Sequence, residues 1–482
     1  MPSPHDHLHR AAPRRVVRRY RRGPPVTTTP TADGETTTAV RTETIERRST
    51  ETIPLDERRG RPRNLAWTWS SPNLEFATIF VGVLATQAFG LSFWQAAAAL
   101  LLGNALAAIS HGVLSARGPG VGVPQMVLGR TAFGHLGNLL PAALMSVMAG
   151  FGWFAVNSVS AAFALSALTS LPALLCLVAV VVVQIAIAAL GHDLVHLFER
   201  YAAVVLAVVF AVVAVLTFAE ADYSAAPATP GGTGGFILAA ATAWGYTAGW
   251  NPYATDYTRY LRPGTGAAAG RAAGLGLFVS TSVLMLAGAA SVTIPGAVDG
   301  NPTAAFTSHL PTALGQITLL AIALGAICAN ILNVYSGSMS FLTMGFTALT
   351  RRRAIVPVAF GVVGFVLAWA GLSDAGHAYE QFLLVIAYWI APWLGVVLVD
   401  QFARRGRDLQ PLLHDRAFRN PSGVAAMLIG LVLSVGLFAN QEIYVGPVPA
   451  AAPGAGDLTA LVGFAVAAAT YALLPKRRPA AV

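Results

Sequence analysis

The sequence predicts an all-α protein that crosses a lipid bilayer many times. Of its 482 residues, 55% are hydrophobic and only 11% are charged, whereas soluble domains carry about 25% charged residues. Apolar runs such as 171–190 and 201–218 reach the length of about 20 residues that a helix needs to span the hydrocarbon core. Basic residues recur in alternate loops, which orients the helices. Together these observations predict twelve transmembrane helices with both termini in the cytoplasm.

The first 65 residues are polar, contain fourteen arginines and have few aliphatic clusters. They are predicted to be a disordered cytoplasmic tail. The basic stretch at 14–22 is typical of an anchor near anionic headgroups, which we favour over nucleic-acid binding. Twelve apolar segments follow, here numbered one to twelve, at approximately 68–91, 92–114, 138–168, 171–190, 194–219, 234–260, 270–295, 314–346, 353–373, 378–402, 421–440 and 457–474.

Basic and acidic residues between these segments fall on opposite sides of the predicted membrane. With the tail inside, the basic residues after it all fall in inner loops or at inner helix ends: Arg117, Arg130, Arg200, Arg259, Arg262, Arg271, Arg351, Arg352, Arg353, Arg404, Arg405, Arg407, Arg416, Arg419, Lys476, Arg477 and Arg478. The outer loops carry acidic residues, among them Glu220, Asp299 and Asp457. This division follows the positive-inside rule and supports the count of twelve.

Two segments contain residues that interrupt helices. Segment six reads "ATAWGYTAGWNPYATDYTRYLRP", with Gly249, Asn251 and Pro252 deep inside the apolar run. Proline removes a backbone donor and clashes with the preceding turn. The result is either a simple kink or a broken helix at a substrate site. Segment one, beginning "WSSPNLEFATIF", carries Pro72 and Thr78 and would be the equivalent helix of an inverted repeat.

Amides and indoles in other segments suggest a ligand. Trp153 and Asn157 lie one helical turn apart in segment three, and Asn330 and Asn333 share a face in segment eight. Asparagines also join helices within membranes, so packing is the alternative. An indole stacks on a flat ring, and an amide pairs with its donor and acceptor edge. These residue types favour a nucleobase or a similar heterocycle as the ligand.

Acidic residues within segments are candidates for ion coupling. Glu199 lies in segment five, where its alternative role is an ion pair with Arg200 or His196. Glu75 is expected near the inner end of segment one, facing headgroups. The sequence contains no histidine cluster with metal-ligand spacing, no P-loop and no dinucleotide-binding fingerprint. Enzyme activity, a metal site and a bound cofactor are therefore not predicted.

Several stretches resemble the nucleobase–cation symporter-1 family, most closely its purine–cytosine permease branch. They read "GVPQMVLGRTAFGHLGNLLPA", "GWFAVNSV", "HLFERYA" and "GWNPYATDYTRYLRP". The resemblance implies a fold similar to the bacterial leucine transporter, with two inverted repeats of five helices plus two extra helices. In that arrangement 66–233 is the first repeat, 234–402 the second, and 403–482 holds the last two helices and the C-terminus.

The resemblance also implies roles for individual residues. Trp153 and Trp250 would sandwich the base, Asn157 and one of Asn330 or Asn333 would bind its edge, and Glu199 would carry the coupling proton. Thr78 completes the predicted substrate-binding set. At the helix-eight stretch where sodium-coupled members carry hydroxyl ligands, this chain has Ile327, Cys328 and Ala329. Hard cations prefer oxygen ligands, so proton coupling is favoured over sodium coupling.

The sequence thus predicts a cell-membrane permease that imports cytosine or a purine by proton symport. Related heterocycles such as allantoin, hydantoin or a thiamine precursor remain alternative substrates, and Na⁺ an alternative coupling ion. A receptor or scaffold that keeps the fold without transport is the alternative from another class. The oligomeric state is left open.

Overall fold

A computed structural model describes residues 50–190, 192–296, 301–344 and 355–475. In these ranges the regular structure is helical, with two isolated β-bridges. The longer helices are Asn64–Ser70, Phe76–Gln87, Phe93–Ser115, Leu139–Val147, Phe154–Thr169, Ala173–Leu190, His192–Glu220, Gly232–Ala248, Gly266–Ser291, Thr312–Thr343, Ile355–Ala370, Ala375–Ala403, Pro421–Phe438 and Thr459–Leu473. Shorter helices are Gly118–Val121, Gln125–Leu128, Arg130–Gly137, Ala254–Thr258, Pro302–Thr307, Gln410–His414 and Pro447–Ala451.

Helices occupy every one of the twelve predicted segments. Within the described ranges, seven helical stretches are long and apolar enough to cross a membrane on their own, and four more apolar helices are shorter. The shorter group includes Phe76–Gln87, which is only one part of segment one. An interrupted helix falls below such a length limit even when the whole segment is long enough to span. The twelve-span count and the inverted repeat therefore stay predictions.

Glycines bring segments one and seven into backbone contact. A Cβ atom at Gly82 would lie 1.7 Å from the carbonyl oxygen of Met285, and one at Gly288 would lie 1.9 Å from that of Ile79. Helices in lipid gain little from apolar contact with each other, so close packing through small residues holds them together. This contact fixes the second half of segment one, Phe76–Gln87, against the bundle.

The arginine-rich end of the bundle is held by a buried carboxylate in segment ten. Asp400 is 1% exposed and accepts hydrogen bonds from Arg404 Nε at 2.7 Å, Thr131 Oγ1 at 2.7 Å and Tyr471 Oη at 2.7 Å. These donors come from the end of segment ten, the loop before segment three and segment twelve. Asp400 therefore ties the last helix to the rest of the bundle.

The described part of the predicted disordered tail is ordered. The Ile53 N–H donates to Gly122 O at 2.9 Å, and Arg58 donates to Ile53 O and Pro119 O, both at 2.8 Å. Arg58 is only 4% exposed. The boundary predicted at residue 65 was thus wrong for residues 50–65. Local composition indicated disorder, but hydrogen bonds to a distant loop order this stretch.

Replacing Asp400 with asparagine is expected to lower the stability of the protein. The substitution keeps the shape but leaves the buried Arg404 guanidinium without its carboxylate, and losing one partner of a buried ion pair costs about 3–5 kcal/mol. The melting temperature of the purified protein in detergent should fall clearly below that of the parent. Asp408→Asn, at an exposed loop position, is the control. Equal melting temperatures for D400N and D408N would contradict this role.

Candidate functional site

Segment one is interrupted between residues 70 and 76. Helix Asn64–Ser70 runs into a 3₁₀ turn at Ser71–Asn73, and Glu75 is fully extended at φ −148° and ψ 165° before the second helix begins at Phe76. Pro72 cannot donate a backbone hydrogen bond to the preceding turn. The Asn73 side chain compensates by donating to Trp69 O at 2.7 Å. The break is thus stabilised by its own sequence.

Segment six is interrupted at the residues that the sequence singled out. Helix Gly232–Ala248 ends, a 3₁₀ turn covers Asn251–Tyr253, and a short helix follows at Ala254–Thr258. Asn251 is fully buried and donates to Ser110 Oγ of segment two at 2.7 Å. Pro252 lies in the 3₁₀ turn, where its missing N–H costs least. Segment two therefore braces this break.

The two interruptions contact each other through side chains. Trp250 Nε1 donates to Asn73 Oδ1 at 2.9 Å, which joins the break in segment six to the break in segment one. Tyr246, one turn before Trp250, has its hydroxyl 3.1 Å from Glu75 Oε1 and 2.5 Å from Thr78 Oγ1. All five side chains are less than a tenth exposed. The polar groups of both breaks thus form one buried network.

Trp153 lies against this network from segment three. It ends a π-helical turn, Met148–Trp153, which the sequence analysis did not predict. Its ring meets those of Tyr246 and Phe382 edge-on, with centroids 5.3 and 5.2 Å away. A Cβ atom at Gly249 would lie 3.5 Å from Trp153 Cζ2. Single π turns often occur at functional sites, because they shift the helix face that follows.

A cavity of about 240 Å³ lies beside Trp153, walled by segments one, three and ten and the end of segment nine. Tyr379 and Phe382 of segment ten line it and also contact the Trp153 ring. A second cavity of about 730 Å³ shares Phe80 and Ala375 with the first. Both lie near the first turns of segment ten, at the opposite end from Arg404. The two cavities thus adjoin each other on the side of the bundle away from the arginine-rich loops, and the smaller one ends at residues that contact Trp153.

The predicted amides meet where segment three packs against segment eight. Asn157 Nδ2 donates to Asn330 Oδ1 at 3.1 Å, and Asn330 Nδ2 donates to Phe154 O at 3.0 Å and Ser158 Oγ at 3.2 Å. The Asn330 amide is thus engaged within the protein at both ends. The Oδ1 atoms of Asn157 and Asn333 are buried without a hydrogen-bond partner. These two oxygens therefore differ from the Asn330 amide, whose hydrogen bonds are made within the protein.

Glu199 lies on helix His192–Glu220, but its side chain falls outside the described residues. Glu75 is placed differently from the expectation. It is 3% exposed at the break in segment one and does not face headgroups, so that expectation was wrong. A continuous helix would have carried Glu75 towards the inner end. The interruption instead turns the Glu75 side chain inward. In the sequence, only the presence of an acidic residue three positions after Pro72 indicated an unusual position.

Sequence analysis also missed Asn73 and Tyr246 as members of the buried network. Tyr246 resembles any aromatic residue of an apolar helix until its partners are known. Asn73 follows a proline, where a capping role is the ordinary expectation. Both contacts connect residues more than 160 positions apart, which no local pattern reveals.

Two interrupted helices that meet in the middle of a bundle, beside a cavity, define a class of membrane transporters that bind substrate at broken helices. The chain matches, over residues 52–463, the family described as permease for cytosine/purines, uracil, thiamine, allantoin, and it belongs to that family. It is accordingly a multi-pass membrane transporter and not an enzyme.

Individual relatives agree with this assignment. The chain is 29% identical to YxlA of Bacillus subtilis over 452 residues, which covers 90% of this chain and 96% of YxlA. It is 27% identical to the purine-cytosine permease fcyB of Emericella nidulans, covering 89% of this chain and 88% of fcyB.

Solved structures show the same fold. The transporter Mhp1 of the nucleobase-cation-symport-1 family, in a closed conformation with bromovinylhydantoin bound, superposes with a TM-score of 0.67 at 20% identity. The match covers 88% of this chain and 93% of Mhp1. The inward-facing conformation of Mhp1 gives a TM-score of 0.69, also at 20% identity.

Replacing Trp250 with phenylalanine is expected to destabilise the junction of the two breaks. The substitution keeps an aromatic ring but leaves Asn73 Oδ1 buried without its donor, at a cost of about 1–3 kcal/mol. Trp393→Phe is the matched control, because Trp393 is fully buried and its Nε1 has no partner. The melting temperature of W250F should fall further than that of W393F, and the reverse order would refute the junction.

Proposed function

We propose that this chain imports a nucleobase, either cytosine or a purine, by proton symport and alternating access. The family description and the name of fcyB support this substrate class. The observation that carries the proposal is the position of Trp153. Its ring contacts Tyr379 and Phe382 of the cavity wall, and also Tyr246 beside the break in segment six. The arrangement of basic residues supports a cell-membrane location with both termini in the cytoplasm.

In this proposal the indoles of Trp153 and Trp250 bind the two faces of the base. Stacking on aromatic side chains suits every base, because each has a π face. Trp250 Nε1 is already bonded to Asn73, so its contribution to the ligand is the ring face. Thr78 bonds Asn73 O at 2.7 Å and Tyr246. The Thr78 hydroxyl therefore holds the two breaks in position, and other groups bind the base.

Recognition of the base edge is assigned to Asn157 and Asn333. Each presents a buried Oδ1 without a partner, and such an oxygen rejects ligands that lack a matching N–H. Asn330 holds the Asn157 amide in place through the 3.1 Å bond between them. Of the two asparagines in segment eight, Asn333 is thus the better candidate for direct contact.

Trp153→Ala is expected to weaken nucleobase binding by about 1–3 kcal/mol, the range for stacking of one base on an aromatic side chain. Binding of labelled cytosine and hypoxanthine to purified protein measures this loss. Trp94→Ala is the control, since Trp94 is 66% exposed at the start of segment two. If W153A and W94A bind both bases as the parent does, Trp153 does not stack on the ligand.

The coupling ion in this proposal is the proton. In segment eight, Ile327, Cys328 and Ala329 offer no side-chain oxygen to a sodium ion, and Na⁺ prefers oxygen ligands. Glu199 is the carboxyl that the family resemblance assigns to coupling. Its protonation on one side of the membrane and release on the other would drive accumulation of the base.

Uptake by cells or proteoliposomes is therefore expected to rise as the outside pH falls, to collapse with an uncoupler, and to be unaffected when choline replaces Na⁺. Glu199→Gln should still bind base, because the amide mimics the protonated carboxyl, but should not concentrate it. Uptake of labelled cytosine against its gradient measures the ion dependence of the parent and the accumulation by E199Q. Dependence of uptake on Na⁺, or accumulation by E199Q equal to the parent, would contradict proton coupling through Glu199.

A further inference from the structure

We propose that Glu75, at the break in segment one, is a proton-binding site of the transport cycle and holds its proton in the conformation seen here. The inference rests on the proposed proton symport and adds a second carboxyl to it. Glu75 is 3% exposed, and no arginine, lysine or histidine of the described ranges forms an ion pair with it. An isolated charge in such a position is strongly disfavoured.

The number of hydrogens needed for the hydrogen bonds around Glu75 supports a protonated carboxyl. Four oxygens form a chain: Asn73 O, Thr78 Oγ1, Tyr246 Oη and Glu75 Oε1, separated by 2.7, 2.5 and 3.1 Å. Three hydrogen bonds need three hydrogens, one in each contact. Asn73 O is a carbonyl and has none to give, while the two hydroxyls give one each. If the Tyr246 hydroxyl donates to Glu75 Oε1, one of the two shorter contacts of Thr78 lacks a hydrogen. A protonated Glu75 that donates to Tyr246 Oη supplies the third hydrogen.

Among the residues that the structure describes, none of the side chains around Glu75 is another strong acid or base. Tyr246 approaches from segment six, and Tyr379 of segment ten donates to Ala77 O at 3.0 Å. Both are phenols, which stay neutral over the ordinary pH range. Segment eight contributes Gly325, where a Cβ atom would lie 3.5 Å from Glu75 Cα. The second carboxyl oxygen, Oε2, is buried without a partner.

This position links protonation to the alternation of access. Segments one, six and eight meet at Glu75. The next two residues in the chain, Phe76 and Ala77, line the smaller cavity. A neutral carboxyl is tolerated while the three segments are closed around it. Loss of the proton to water leaves a carboxylate that requires hydration, so the segments must part. Closure around the site is therefore possible only with the proton on Glu75.

The test uses the full chain in proteoliposomes with labelled cytosine, or hypoxanthine if the parent prefers it. Exchange of base at equal concentrations on both sides needs no net proton movement, whereas base-driven proton entry is read from a pH dye inside the vesicles. Glu75→Gln keeps a donor for Tyr246 Oη and mimics the protonated acid. E75Q is expected to retain exchange but to move fewer protons per base than the parent, because Glu199 alone then carries one.

Glu220→Gln is the matched control, because Glu220 is exposed at the end of helix His192–Glu220 and lines neither cavity. It should keep both activities. Proton entry by E75Q equal to the parent would overturn the assignment. If E75Q loses exchange as well, Glu75→Asp decides the matter. If Glu75→Asp exchanges base with a pH dependence that differs from the parent's, residue 75 is a titrating group. If its pH dependence equals the parent's, or if it does not exchange base, the assignment of Glu75 is overturned. A parent that moves base without protons overturns the proposed symport and this site together.

Infrared difference spectra of the purified protein test protonation without transport. Between acidic and alkaline pH, the parent should show loss of a protonated carboxyl band, and E75Q should lack that band while E220Q retains it. The same band in E75Q and parent would assign it to another acid and overturn the inference.

Discussion

The structure depends on one constraint, which is that backbone polar groups freed inside a membrane must find partners within the protein. Segments one and six both stop being helical where lipid would offer no hydrogen bond. Asn73 satisfies Trp69 O in the first break, and Asn251 reaches Ser110 from the second. The Trp250–Asn73 bond then joins them. This bond between two buried side chains holds the two breaks together.

The location of the site follows from that junction. Tyr246 and Gly249 lie on segment six beside the break, and both contact Trp153. The π-helical turn before Trp153 directs the indole there, and Gly152 allows the approach of Phe382 from segment ten. The indole contacts the cavity wall through Tyr379 and Phe382 and the buried polar network through Tyr246. These are the two environments that a flat, polar-edged ligand needs.

Burial of a carboxyl at the same junction connects binding to energy coupling. A polar network in a dry site is stable only when its hydrogens and acceptors balance. At Glu75 the balance depends on one titratable proton, so the network itself senses protonation. Asp400, at the other end of the bundle, contrasts with Glu75, because this buried carboxyl group forms an ion pair with Arg404.

The sequence by itself determined the membrane class, the positions of the helices and the residues at which segment six breaks. These depend on local properties: hydropathy over a helix length, the sign of loop charges, and the missing donor of proline. The tertiary structure decided which polar groups meet. Asn157 and Asn330 are 173 positions apart and Trp250 and Asn73 are 177 apart, so their pairing appears only when segments pack. The same holds for Glu75, because the environment of a side chain is set by the neighbouring segments and not by its own.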